Sequence, residues 1–171
     1  MGDNGTGNAR AKRATIGGRP LAGSKGSLEE GGGLVPLIVN WPGTTPADKV
    51  SPDLIDASDL VPTFAALAGV PLPSKTIYDG HSFAAQLKGE AGQPRSWVFN
   101  QLASHWYVRE ANWKLNESGE LFDMNDAPFA EMLVSADTQT AAAAAARRRL
   151  QAVLDRLNPA GGIPDDGDGT G

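Results

Sequence analysis

The sequence predicts a module that combines helices with strands, an α+β arrangement attached to the end of something larger. Three observations carry this expectation. Four short apolar or aromatic segments between Trp97 and Phe122 are separated by turn residues, helical apolar spacing occurs before and after them, and the first 33 residues have almost no apolar periodicity. A chain of 171 residues is long enough for one domain to bury a core.

Residues 2–33 are dominated by Gly, Ser, Asn, Arg and Lys and read as loop. A loop of this length in a compact domain is either functional or disordered. The run Leu34-Val35-Pro36-Leu37-Ile38-Val39 is apolar and β-branched, with proline near its start, and reads as a buried strand that ends at the turn-like Trp41-Pro42-Gly43. Asp59 followed by Leu60, Phe64, Leu67 and Ala68 places apolar residues on one helical face; Asp59 or Ser58 can cap this helix and Gly69 can terminate it. A second short helix is expected over 82–87, where Phe83, Gln86 and Leu87 share helical spacing.

The segments Trp97-Val98-Phe99, Trp106-Tyr107-Val108, Trp113-Lys114-Leu115 and Leu121-Phe122 predict an antiparallel meander of three or four strands. The last helix is expected over about 137–157, with an apolar stripe of Leu150, Val153, Leu154 and Leu157. After Asn158-Pro159 the acidic, glycine-rich tail is expected to be disordered.

A formal net charge of -5 provides no basic footprint for neutralising phosphates, so nucleic acid is not an expected partner. The absence of cysteine removes disulfides, thiolate metal sites and a Cys nucleophile from these residues. No apolar run approaches the roughly 18 residues of a membrane span, and the opening Met-Gly-Asp-Asn-Gly has no basic-then-apolar signal pattern. Gly and Pro together make 33 of the 171 residues, which predicts many turns.

Several tags occur in a fixed order along the chain: Asp3-Asn4-Gly5; Lys25-Gly26 leading to Glu30-Gly31-Gly32 and Val35-Pro36; Trp41-Pro42-Gly43; Asp59-Leu60-Val61-Pro62-Thr63 leading to Gly69-Val70-Pro71; Asp79-Gly80-His81; Val108-Arg109 leading to Trp113-Lys114-Leu115; and Glu120-Leu121-Phe122-Asp123 leading to Ala127-Pro128. From about residue 2 to residue 157 this ordered set resembles the second half of the formylglycine-dependent sulfatases of the alkaline-phosphatase-like superfamily. Each tag alone is weak; the order and spacing are specific.

The resemblance implies an α/β fold: the terminal part of an alkaline-phosphatase-like mixed sheet with helices over 1–94, a small antiparallel sheet packed by a helix over 95–158, and a disordered tail over 159–171. For an intact parent enzyme it implies hydrolysis of a sulfate ester to an alcohol and inorganic sulfate. Asp3 and Asn4 would be metal ligands, for calcium or magnesium, and Lys25 would contact the sulfate. Sulfatases are often periplasmic or secreted, and this sequence carries nothing that fixes a compartment.

The departures are as informative. The family's nucleophile is a formylglycine made from Cys or Ser in a Cys/Ser-x-Pro-x-Arg motif, and no such motif occurs in these residues. The paired aspartates of the family's N-terminal half have no counterpart either, and Leu34 stands where an arginine commonly precedes Val-Pro. The 171 residues are therefore expected to be inactive without the missing N-terminal half. A phosphonate or phosphate ester hydrolase of the same superfamily, and a noncatalytic structural or binding remnant, remain as alternatives.

Read as residues alone, Asp3 and Asn4 are adjacent oxygen donors suited to a hard cation, and Asn-Gly is equally a common turn pair. Lys25 is either a solvated lysine or an anion contact. Gly18 and Gly23 have Walker A separation, but Gly23-Ser24-Lys25-Gly26 departs from the required Gly-Lys-Ser/Thr, which excludes that motif. His81 and His105 lack metal-ligand spacing and read as structural or surface residues; for Glu30 it is the family resemblance that implies a structural hydrogen-bonding role. The aromatic set Trp97, Phe99, Trp106, Tyr107 and Trp113 reads as core between sheet and helix rather than as a sugar platform. Arg147, Arg148 and Arg149 read as a solvated helix face near a C-terminus.

Overall fold

The computed structural model describes residues 1–135, 137 and 139–161. The expected tail lies outside the described residues except for a 3-10 turn over Pro159–Gly161. The described elements are α1 (Asn8–Ala11), β1 (Thr15–Ile16), β2 (Arg19–Pro20), α2 (Glu30–Gly33), α3 (Leu60–Ala68), α4 (Ala84–Leu87), β3 (Val98–Leu102), β4 (His105–Arg109), β5 (Trp113–Asn116), β6 (Leu121–Asp123), β7 (Met132–Leu133) and α5 (Ala141–Leu157). No helix among them is long and apolar enough to cross a membrane. The contacts gather into two compact units, one formed by Met1–Leu37 with the chain from Phe99 onward and the other by Ile38–Val98. The N-terminal loops thus associate with the C-terminal sheet.

In the first unit, strands β3 to β7 form a five-stranded sheet in sequence order. The expected meander is present, with β7 as an additional edge strand. The turn after β5 follows from its residues: the Asn116 side-chain oxygen accepts from the amides of Ser118 and Glu120 at 3.1 and 2.8 Å, and Gly119 adopts φ 75.

Strand alternation divides this sheet into two faces. Val108, Leu115 and Leu121 lie side by side in register, each 0% exposed, and α5 packs across their strands with Ala143, Ala146, Leu150 and Leu154 buried. The alanine run lets the helix approach closely, and its N-terminus is capped by the Thr140 hydroxyl, which accepts from the Ala143 amide at 3.1 Å. The helix starts at Ala141, after the position expected from sequence. Tyr107, Arg109, Lys114 and Phe122 project to the other face, where residues 28–33 cover them.

Two sequence expectations change here. The core under α5 is aliphatic: Tyr107 is buried on the opposite face, and Trp106 and Trp113 are only half-buried. Arg147–Arg149 lie mid-helix, with a further two turns beyond them, so the macrodipole does not explain them. Arg147 donates to the Gly119 carbonyl and Arg149 pairs with Glu110 at 2.5 Å.

The second unit is organised by α3. The helix forms where expected and ends at Gly69, which takes the left-handed conformation at φ 66. Its entry is capped one turn earlier than the sequence suggests. The Asp56 carboxylate accepts from the Ser58 amide and the Asp59 carboxylate accepts from the Asp56 amide, both at 2.8 Å. Pro62 and Thr63 form the buried face, whereas Phe64 is 61% exposed. Thr63 is inside because its hydroxyl donates to the Asp59 carbonyl at 2.6 Å and accepts from the Phe83 amide at 3.0 Å, tying α3 to the start of α4.

Residues 34–39 are not a buried strand. They lie outside any ladder, and Ile38 is 82% exposed. A strand needs a partner's backbone groups, and among the described residues this segment receives only the Gly2 amide, on the Pro36 carbonyl at 3.0 Å. Within residues 1–94 the strands described are the two-residue β1 and β2, paired antiparallel, so the mixed sheet is not formed there.

Candidate functional site

The glycine-rich segments of the first unit form a tightly crossed set of loops around the residues that carry the resemblance. The Gly2 amide donates to Pro36, the Gly5 amide to Gly32 at 3.1 Å, the Lys25 amide to the Thr6 carbonyl at 2.9 Å, and the Gly31 amide to the Ala22 carbonyl at 2.6 Å. These bonds place the Asp3-Asn4 segment, the Lys25 turn and α2 next to one another. Glycine is required by the crossings: a Cβ on Gly5 would lie 1.9 Å from the Gly31 carbonyl oxygen, and one on Gly32 would lie 1.9 Å from that of Ser27. The turn at Lys25 is closed by Ser27, whose hydroxyl donates to the Ser24 carbonyl at 2.9 Å and accepts from the Ser24 amide at 3.1 Å.

Asp3 and Asn4 are exposed on a bend, and the Asn4 amide donates to the Asp3 carboxylate at 3.0 Å. Their oxygens suit calcium or magnesium in kind, but two donors supply a minority of the six to eight oxygens that calcium takes. Among the described residues no group of three or more His, Cys, Asp or Glu side chains could hold a metal. Lys25 is exposed, and its ammonium makes no salt bridge among the described residues. His105 pairs with Glu117 at 2.6 Å on the surface, and His81 uses its backbone amide to bond Asp59.

Beneath the loops lies a buried ionic network that the sequence reading did not assemble. Glu30, 2% exposed, accepts from Arg109 at 2.7 Å through its carboxylate, while its amide donates to Glu131 at 3.1 Å. Lys114 bonds the other oxygen of Glu131 and donates to the Leu28 carbonyl at 3.1 Å. Its ammonium lies 4.8 Å from the Tyr107 ring centroid and 5.3 Å from that of Phe122, so two aromatic faces share in stabilising the cation.

Burial raises the Glu30 carboxyl above its ordinary range, with Arg109 opposing and Glu131 adding to the rise. Tyr107 is pushed up to about 12, first by burial and then by the charge of Glu30. The reading of Glu30 as a structural hydrogen-bonding residue agrees with this geometry. Its partners were missed because a lone Arg, Lys or Glu in a short amphipathic stretch reads as solvated. The available signal was alternation, which puts Tyr107 and Arg109 on one face with Lys114 opposite Arg109.

A second buried pair organises the other unit. Arg95 donates to both oxygens of Asp59, at 2.9 Å from Nε and 2.5 Å from Nη2, and the Asp59 carboxylate also accepts the amides of Asp56 and His81.

No family model matches the chain. It is similar to human arylsulfatase A, 40% identical over 97 residues that make 57% of this chain and 18% of that protein. It is also similar to human arylsulfatase D, 33% identical over 97 residues, 56% of this chain and 16% of that protein. Steryl-sulfatase of Mus musculus matches at 33% over 98 residues, 54% of this chain and 16% of its own length. The matched segment spans less than a fifth of each of these curated relatives. The resemblance to a sulfatase C-terminal portion holds over roughly half of the chain.

Proposed function

We propose that the chain is the C-terminal portion of an alkaline-phosphatase-like sulfatase, and that the intact parent hydrolyses a sulfate ester to an alcohol and inorganic sulfate. The observation that carries the reading is the lacing of the Gly2–Thr6 backbone to the Lys25 turn and to α2, which brings together two tags that lie about twenty residues apart in the sequence. In this reading the Lys25 ammonium neutralises charge on the sulfate as negative charge grows on the leaving oxygen. Asp3 and Asn4 would supply two oxygens to a calcium or magnesium ion. Such an ion, when bound, offsets the charge of the sulfate and orients the nucleophile. The nucleophile and the remaining metal ligands belong to the N-terminal half of the parent, and residues 34–39 would complete their ladder in its mixed sheet.

The test is to read the frame upstream of the Met1 codon for a Cys/Ser-x-Pro-x-Arg motif and to assay the protein from the longest frame on an aryl sulfate and an aryl phosphate. Metal-dependent sulfate turnover that falls by about 10²–10³ in Lys25→Ala is expected. Preference for the phosphate would instead make the parent a phosphate or phosphonate ester hydrolase. A frame without the motif, and no turnover, would make the chain a noncatalytic module. The 171 residues alone are expected to be inactive on the aryl sulfate even with calcium, because they contain no such motif.

A further inference from the structure

The Lys25 turn and α2 are short of apolar anchors: between residues 22 and 33 the apolar side chains are those of Ala22 and Leu28, both only half-buried. The sheet grips this stretch through charge instead. Arg109 holds the Glu30 side chain, Glu131 takes the Glu30 amide, and Lys114 takes the Leu28 carbonyl. From its other side the same stretch carries the Lys25 bond to Thr6 and the Gly32 bond to Gly5.

We propose that Arg109, Lys114 and Glu131 are positioning residues, through which the small sheet sets the placement of the Lys25 turn against the Gly2–Thr6 segment. Four ionic side chains buried together are costly to desolvate, and well-packed apolar residues of similar volume would often stabilise a fold as well or better. What the ionic set adds is direction: each charge accepts or donates at one backbone or side-chain atom of the loop, so the loop has one register on the sheet. The role of Lys25 in sulfate contact rests on the function proposed above. Its placement by the sheet does not.

Amide hydrogen exchange by NMR on the 171-residue chain tests the proposal, using Lys114→Met and the double variant Lys114→Met with Glu131→Leu. The double variant removes both charges, so no unpaired charge is left to unfold the sheet. In it the amides of Lys25, Gly31 and Gly32 are expected to exchange about tenfold or more faster, while the α5 amides of Leu150 and Leu154 stay within about twofold of wild type. The Lys25 amide resonance is expected to move in both variants. Unchanged loop protection in the two variants would overturn the proposal. Equal loss in loop and helix in the double variant would overturn it too, because the network would then serve only overall stability. Neither readout uses turnover, so a failed sulfatase assay and a failed positioning test are separate results.

Discussion

Each compact unit buries one carboxylate against an arginine, and the two carboxyls end up shifted in opposite directions. Asp59 and Glu30 are both 2% exposed. Burial alone would raise either carboxyl, but Asp59 is held below its ordinary range by the two bonds from Arg95 and by the amides of Asp56 and His81. Glu30 accepts one bond from Arg109 and faces a second acid, Glu131, so desolvation wins and its carboxyl is raised. The donors converging on Asp59 outweigh its desolvation, whereas the bond from Arg109 does not outweigh that of Glu30. Asp59 takes one of its donors, the Asp56 amide, from the helix entry, and the others from the His81 amide and the Arg95 side chain.

The largest effect that would break this comparison is Asp59→Ala. It leaves the Arg95 guanidinium buried without its anion and removes the cap of the turn before α3, at a cost of about 3–5 kcal/mol. Urea unfolding followed by hydrogen exchange within Ile38–Val98 measures it; a loss below about 1 kcal/mol would show that Arg95 finds another partner.

Acidification separates the units next. The stability Asp59 contributes is fully present above its unfolded pKa and is lost as pH falls through the lowered folded value. Glu30 runs the other way: its raised folded value favours the fold below the unfolded pKa and costs stability as pH rises through the folded one. Amide protection around α3 is therefore expected to fall on acidification through and below the ordinary carboxylate range, with Glu30 partly offsetting that loss in the sheet unit. Equal pH dependence at α3 and at β4 would contradict the assignment.

Gly69→Ala should cost about 1 kcal/mol by forcing a Cβ into the left-handed region, seen as lowered protection in α3 alone. The smallest change expected is Glu30→Gln. It keeps an acceptor for Arg109 while removing a charge that burial disfavours, so stability at neutral pH should shift by less than about 1 kcal/mol. Asp59→Asn, made beside it, should cost distinctly more, and equal costs would erase the contrast between the pairs.

The elements legible in the sequence were those whose causes lie within a few residues. The helix over Leu60–Ala68 is marked by its apolar spacing and by Gly69 at its end. The turn at Asn116–Gly119 follows from one side-chain amide and one glycine. Even there the buried face of α3 differed from the apolar stripe: Thr63 is inside and Phe64 outside, because Phe83 and Asp59 approach from the side of Thr63. At the candidate site the tags at Asp3-Asn4, Lys25 and Glu30 were visible, as were those holding Arg109 and Lys114, but the pairing of these residues beneath the loops was not. Glu30 and Arg109 are 79 positions apart, and a Coulombic partner at that separation leaves no periodic signal.

What the sequence determined by itself was local and compositional: the order of helix and meander, the caps and turns, the lack of thiol chemistry and the ordered tags of a sulfatase C-terminal portion. Tertiary structure decided which polar residues are buried, which face of the sheet meets the helix and which meets the glycine loops, and that residues 34–39 remain outside a ladder. The physical reason is that a cap or turn is satisfied by atoms a few bonds away. A strand pairing, or a buried charge such as that of Lys114, is stabilised only by groups that folding brings from elsewhere in the chain.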